Sequence, residues 1–185
     1  MDWQVRPARL EDQDDILRLY RRVARAPGFL ARSEQEIDLR FVVQLLHQSL
    51  SDGLILALQS PTVPGLLGLI HAERGRPLSL RHVLGHLTIL IAPPLQGQGA
   101  GRYLFTSFLA EVATHHQDIL RVELRARASN EKALHLYTSL GFESEGRFSR
   151  RIQNANGEYE DGIPMVWMNP NWRPTAPPPP PSPDI

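Results

Sequence analysis

The chain has 185 residues, with 20 Lys+Arg balanced by 20 Asp+Glu and no cysteine. That length suits one domain plus tails. The even charge gives no reason to expect nucleic acid or a membrane surface as partner, and the missing thiols exclude disulfides, thiolate metal sites and a cysteine nucleophile. No apolar run reaches the roughly 20 residues that span a bilayer. Met1-Asp2-Trp3-Gln4-Val5-Arg6 leads straight into a strand-like segment without the pattern of a signal peptide. The expectation is a cytoplasmic protein.

The chain opens with a short strand over Asp2 to Arg6, then a turn at Pro7-Ala8-Arg9. Ile16, Leu19, Tyr20 and Val23 recur at helical spacing and predict a first helix ending before Pro27-Gly28. Ser33, with Glu36 three residues on, has the form of a capping box that opens a second helix. Phe41, Val42, Leu45, Leu46 and Ser49 share one face of it, and Asp52-Gly53 ends it. Leu54 to Leu58 and Leu66 to Glu73 read as an antiparallel hairpin.

Arg81 to Ile91 is predicted as a strand. Leu104, Phe105, Phe108, Leu109, Val112 and Ala113 mark the apolar face of a helix. Ile119 to Leu124 is a strand again. Strand, helix and strand at this length predict a right-handed crossover between parallel neighbours. Glu131 to Leu140 is a short helix closed by Gly141. Phe142 to Ile152 and Glu158 to Trp167 form a terminal hairpin around Asn154-Ala155-Asn156-Gly157. Pro164 lacks an N–H, so its place in the last strand should be an edge or a bulge. Half of the residues from Pro170 onward are proline. This predicts a folded domain over 1–169 and an extended or disordered tail over 170–185.

One stretch carries chemistry. Leu87-Thr88-Ile89-Leu90-Ile91 runs into Ala92-Pro93-Pro94-Leu95, then Gln96-Gly97-Gln98-Gly99-Ala100-Gly101-Arg102. A strand stopped by proline, a glycine turn and a helix start together make a cradle of backbone N–H groups for an anion, most often phosphate. A mononucleotide loop would end in Gly-Lys-Ser/Thr, and a dinucleotide fingerprint would space its glycines G-x-G-x-x-G. Neither fits. Gln96-x-x-Gly99-x-Gly101 instead resembles the acetyl-CoA signature Q/R-x-x-G-x-G/A of the GCN5-related N-acetyltransferases.

A second block, Asn130-Glu131-Lys132-Ala133-Leu134-His135-Leu136-Tyr137-Thr138-Ser139-Leu140-Gly141-Phe142, resembles that family's N-x-x-A-x-x-L/F-Y-x-x-x-G-F. The two blocks stand in the family's order, one helix and one strand apart. The ending, from Glu143-Ser144-Glu145-Gly146-Arg147 to Asn156-Gly157-Glu158-Tyr159-Glu160-Asp161 and Met165, looks like that of the bacterial branch acting on amino acids, small amines or protein N-termini. The resemblance covers residues 1 to about 168 and is weakest in the first two helices.

What the resemblance implies is an α/β (α+β) fold: a mixed sheet of about six to seven strands, about four helices, and a splayed parallel pair at the acetyl-CoA site. It implies acetyl transfer from acetyl-CoA to a primary amine of a small molecule by direct attack on the thioester. A protein N-terminus or lysine is the alternative acceptor, and a non-catalytic acetyl-CoA sensor is the alternative class. It places the cofactor on Leu90, Ile91, Gln96, Gly97, Gln98, Gly99, Ala100, Gly101, Arg102, Asn130, Ala133 and Tyr137, and it implies no metal. A backbone N–H at Leu90 or Ile91 would polarise the thioester carbonyl. Tyr137 would protonate the departing sulfur, although it also falls on an apolar stripe with Ala133, Leu134 and Leu140, as a core tyrosine would. Asn130 would bond the pantetheine arm or cap its helix.

His82 and His86 lie four residues apart on a predicted strand, so they should face one side; either could accept the amine's proton. Glu73 is a weaker candidate. His115-His116 sits at a helix end and suits the helix dipole. An acceptor carboxylate would call for one of Arg125, Arg127, Arg147, Arg150 or Arg151. Family members often form homodimers.

Overall fold

The computed structural model describes residues 2–26, 30–154 and 156–174. The break expected at Pro27-Gly28, the tip of the last hairpin at Ala155 and most of the proline-rich tail lie outside the described residues. Hydrogen bonding to the domain continues past residue 169: the Arg173 backbone N–H donates to the Gln117 carbonyl at 2.8 Å, and the Asn171 side chain donates through Nδ2 to the Ala113 carbonyl at 3.1 Å.

The described chain forms eight strands and four α-helices. Strand β1 is Gln4–Pro7, α1 is Gln13–Ala24, α2 is Leu39–Asp52, β2 is Gly53–Ser60 and β3 is Val63–Arg74. Strand β4 is Val83–Ile91, α3 is Ala100–His115, β5 is Arg121–Arg127 and α4 is Glu131–Ser139. Strands β6, β7 and β8 are Glu143–Ser144, Phe148–Gln153 and Tyr159–Met168. The sheet order is β1-β2-β3-β4-β5-β8-β6, with β7 also on β8. Only β4 and β5 run parallel; every other pair is antiparallel. The mixed sheet with one parallel pair is the architecture the resemblance implied.

Side chains alternate across the sheet and build two cores. On one face, Ile55, Ala57, Leu69 and Leu90 pack with Ile16, Leu19 and Val23 of α1 and Val42 and Leu46 of α2. On the other, Leu56, Leu58, Ile70 and Leu84 pack with Leu104, Phe105, Phe108 and Val112 of α3. The predicted stripe of α1 is buried in full.

The second helix differs from the expectation. Ser33 and Glu36 do form the capping box, but they cap only a 3-10 turn over Glu34–Glu36. Ile37 then turns extended (φ −105°, ψ 95°) and is fully buried in the α1/α2 core. That anchor takes the chain out of helix. Asp38 restarts it, accepting the Phe41 N–H at 2.8 Å as the N-cap of α2.

The terminal hairpin is also interrupted. The Glu145 N–H donates to the Pro164 carbonyl at 3.0 Å. Pro164 therefore turns its missing donor toward the Glu145–Arg147 segment, where β6 has ended and β7 has not begun. The expected bulge thus divides the predicted Phe142–Ile152 strand into two.

At the first turn of the fold, Arg6 holds Asp12 in a two-pronged pair, both contacts at 2.7 Å, and Asp12 also accepts the Arg9 N–H at 2.7 Å. The Arg6 hydrogen bonds hold the Asp12 carboxyl below the usual carboxylate range, against an opposing push from burial. A depressed folded pKa stabilises the fold above the unfolded value and loses that effect as pH falls through the folded one. The gap in thermal midpoint between wild type and Asp12→Asn is therefore expected to be largest above about pH 4 and to shrink in more acid solution. A gap that stays constant through this range would show that the pair contributes no acid dependence.

Candidate active site

The pairing of β4 with β5 lasts for two registers, Val83↔Arg121 and Leu84↔Val122. Beyond them the strands diverge, and the gap runs through the sheet as part of a cleft of about 1480 Å³. Asn130, Ala133 and Tyr137 line it from α4. Tyr20, Phe41 and His71 line it from the α1/α2 face.

Strand register decides which amide of β4 is available. The Ala92 N–H donates to the Leu67 carbonyl at 2.8 Å, and the register continues unbroken through Leu69↔Leu90 and His71↔Thr88. In an antiparallel ladder both backbone groups of a residue point the same way and alternate along the strand. Leu90 thus turns its N–H to β3, which leaves Ile91 of the two alternatives with its N–H unclaimed by that ladder. Ile89 and Ile91 turn theirs to the gap. The Ile91 carbonyl confirms the direction by accepting Gln96 Nε2 at 3.0 Å.

The glycine turn follows at once. Gly97 (φ 76°) and Gly99 (φ 90°) occupy the left-handed region that favours glycine, and a Cβ on either would meet nothing within 4 Å. The space beside them is open. Gly99 is the N-cap of α3, and the first helical bond runs from the Tyr103 N–H to the Gly99 carbonyl at 3.0 Å. The N–H groups of residues 99–102 therefore have no intrahelical partner. Gln98 folds back, donating to the Pro94 carbonyl at 2.6 Å, and Arg102 ties α3 to the end of α4 through Ser139 Oγ at 2.8 Å. Open space, unpaired donors and a helix start suit a pyrophosphate.

On α4, Asn130 accepts the Ala133 N–H at 3.1 Å through Oδ1. The cap leaves its Nδ2 for the cleft, so the two readings of Asn130 are compatible. The Tyr137 ring packs on Phe105 and Phe142, with centroids 5.6 and 6.0 Å away. Burial pushes its pKa up to about 12, which keeps the hydroxyl protonated.

The two histidines part company. Between His71↔Thr88 and Glu73↔Gly85 strand β4 carries one extra residue, and His86 takes φ 52°. That bulge shifts the pleat by one and cancels the same-side argument. His86 is exposed and lines the cleft. His82 precedes the strand, lies outside the lining, and uses its carbonyl to accept the Leu120 N–H at 2.8 Å. Of the two histidines, His86 is the one in the cleft lining. His115 bonds Glu111 one turn back, at 3.1 Å.

Sequence reasoning did not assign Tyr20, Arg32, Phe41 or His71 to the site. Tyr20 Oη and His71 Nε2 are 2.6 Å apart and both residues are buried. Burial, with a smaller effect of nearby His86, pushes the His71 pKa down to about 4, and burial raises that of Tyr20. Phe41 meets the Tyr20 ring edge-on at 5.2 Å, and the Arg32 guanidinium lies 4.7 Å over the Phe41 ring. The only signal in the sequence was a histidine inside the apolar run Leu66–Ala72.

The cleft is cationic. Six arginines line it, Arg32, Arg76, Arg125, Arg127, Arg147 and Arg151, against Glu73, Glu123 and Glu145. Arg127 pairs with Glu160 and Arg147 with Asp161, while Glu123 and Glu145 both engage Arg121. Among the described residues, Arg32, Arg76, Arg125 and Arg151 form no salt bridge, and Glu73 is the one carboxylate of the lining outside such a pair.

Comparison with known proteins agrees with this geometry. A family model described as the acetyltransferase (GNAT) family matches residues 14–142. The chain belongs to that family, and so to the acetyl-CoA-dependent N-acetyltransferases. Its fold is similar to that of a ribosomal-protein-alanine N-acetyltransferase from Brucella melitensis, at 22% identity and TM-score 0.78, covering 89% of this chain and 99% of that one. It is similar to the yncA protein of Salmonella typhimurium with its cofactor acetyl-CoA, at 17% identity and TM-score 0.77, covering 91% and 94%. It is also similar to a spermidine N-acetyltransferase from Vibrio cholerae in complex with CoA and spermine, at 21% identity and TM-score 0.74, covering 91% and 96%. No helix among the described residues is long and apolar enough to cross a membrane.

Proposed function

We propose that the chain acetylates the primary amine of a small, carboxylate-bearing molecule, an amino acid or close relative. The observation that carries this is the surplus of arginine in the cleft. A cationic lining attracts a carboxylate and repels a polycation, which argues against a polyamine such as the spermine held by the Vibrio cholerae protein.

Acetyl-CoA supplies the acetyl thioester. Residues 97–102 and the side chains of Arg102 and Asn130 are suited to hold it, and the Ile91 N–H, aimed into the gap, to donate to its carbonyl oxygen. A carbon–nitrogen bond forms, the carbon–sulfur bond breaks, one proton leaves the nitrogen and one goes to the sulfur. Tyr137 is the donor on the sulfur side. The amine of a free amino acid lies beside its own carboxylate, which favours the ammonium form, so only a small fraction is neutral at pH 7. Neighbouring arginines raise that fraction by disfavouring the ammonium form. The released proton can pass by way of exposed His86 or Glu73, both in the cleft lining, to water. We place the activity in the cytoplasm, a reading supported by a chain without cysteine and so without need of an oxidising compartment.

Release of CoA thiol from acetyl-CoA tests the reading across amino acids, their decarboxylated amines, spermidine and short N-terminal peptides. Fastest release with free amino acids is expected. Preference for spermidine would overturn the carboxylate assignment, and preference for peptides would move the acceptor to protein N-termini.

A further inference from the structure

Resting on that reading, we propose that His71 is a specificity residue whose Nδ1–H, its tautomer fixed by the Tyr20 hydroxyl, donates a hydrogen bond to a carboxylate oxygen of the acceptor at the floor of the cleft.

The observation is an orphaned atom. His71 Nε2 bonds Tyr20, but Nδ1 is buried with no partner among the described residues. The His71 ring belongs to the cleft lining, beside Thr88 on the neighbouring strand. Buried polar atoms of native proteins are nearly all paired, so an unpaired one at a cleft floor points to a partner that arrives from outside the chain.

Counting donors fixes the sign of that partner. The imidazole is neutral here and carries one N–H. If Nε2 carried it and donated to Tyr20, the buried phenol hydrogen would have no acceptor and Nδ1 would hold an unused lone pair. If Tyr20 donates to Nε2, both are satisfied and a single group remains, an N–H on Nδ1. A donor needs an oxygen. The cationic lining selects the charged one, a carboxylate. Acting together, Tyr20 and His71 would read the acceptor's acid group while the arginines hold it. A polyamine has no such oxygen.

Two measurements test this. Ring-nitrogen NMR of the wild-type protein, with the His71 signals assigned by their absence in His71→Asn, is expected to show the Nδ1–H tautomer. The Nδ1 shift should move on titration with L-leucine but not with isoamylamine. In kinetics, the ratio of kcat/KM for L-leucine to that for isoamylamine is expected to fall about tenfold in His71→Leu, mostly through KM. It should be largely restored in His71→Asn, whose Nδ2 hydrogens stand near where Nδ1–H was, and less so in His71→Gln. An Nε2–H tautomer, or a ratio unchanged in His71→Leu with an active wild type, overturns the proposal alone. Wild-type enzyme that releases no thiol with any amine overturns the acceptor reading, and the proposal with it.

Discussion

Tyr137→Phe is expected to lower turnover by about a hundredfold or more while leaving acetyl-CoA affinity within about a factor of two. The substitution removes one hydroxyl. It keeps the ring that packs on Phe105 and Phe142, so the α4 side of the cleft retains its shape. The raised pKa of about 12 also says how the hydroxyl works. Full proton transfer from such a phenol to a free thiolate of pKa about 8.5 would be uphill by about 5 kcal/mol. In the role proposed for it, the hydroxyl would therefore act first as a hydrogen-bond donor while charge builds on the sulfur. The proton it gives up is replaced from solvent, just as the amine's proton is released to it. Turnover and calorimetric affinity, measured on the same preparation, decide the matter. Unchanged turnover would make Tyr137 a core aromatic and return weight to a sensor that binds acetyl-CoA without transferring from it.

Parts of this site were legible in the sequence because their signals are local. The glycine turn spans six consecutive residues, and Asn130 and Tyr137 sit on one short helix. Seven positions apart, Asn130 and Tyr137 fall on one face of that helix. What was not legible depends on pairing between distant strands. Leu90 and Ile91 are equivalent in sequence, and only the Leu67–Ala92 register shows that Ile91 faces the gap. The bulge at His86 adds one residue to a ladder, and no composition marks it. Tyr20 and His71 are 51 positions apart, and each taken alone fits its own apolar run. Ser33 and Glu36 show the opposite case. Their local signal was real, but a buried Ile37 overrode its continuation. Local rules reach the glycine turn and α4, whose parts are backbone and short-range. The opposite wall of the cleft is assembled from α1, α2, β3, β4 and β7, and needed the fold.

Gly99→Val is expected to weaken CoA binding at least about tenfold for a reason separable from fold damage. A Cβ at residue 99 meets no other atom, so packing is not disturbed. The backbone stands at φ 90°, a conformation that costs a β-branched residue about 1–2 kcal/mol. That strain should appear as a modest drop in thermal midpoint. The larger effect is expected at the ligand: an isopropyl group in the open space beside residue 99 should keep a pyrophosphate from reaching the N–H groups that begin there. Gly99→Ala shares most of the strain and fills less of the space, so it should melt at a similar temperature and bind CoA better than the valine variant. Acetyl-pantetheine carries the same thioester without the pyrophosphate. Its kcat/KM should be nearly the same in wild type and Gly99→Val. If Gly99→Val bound CoA as wild type does, the helix-start cradle would have to lie elsewhere. If acetyl-pantetheine lost as much as acetyl-CoA, the defect would lie in the fold around Ile91 rather than in anion binding.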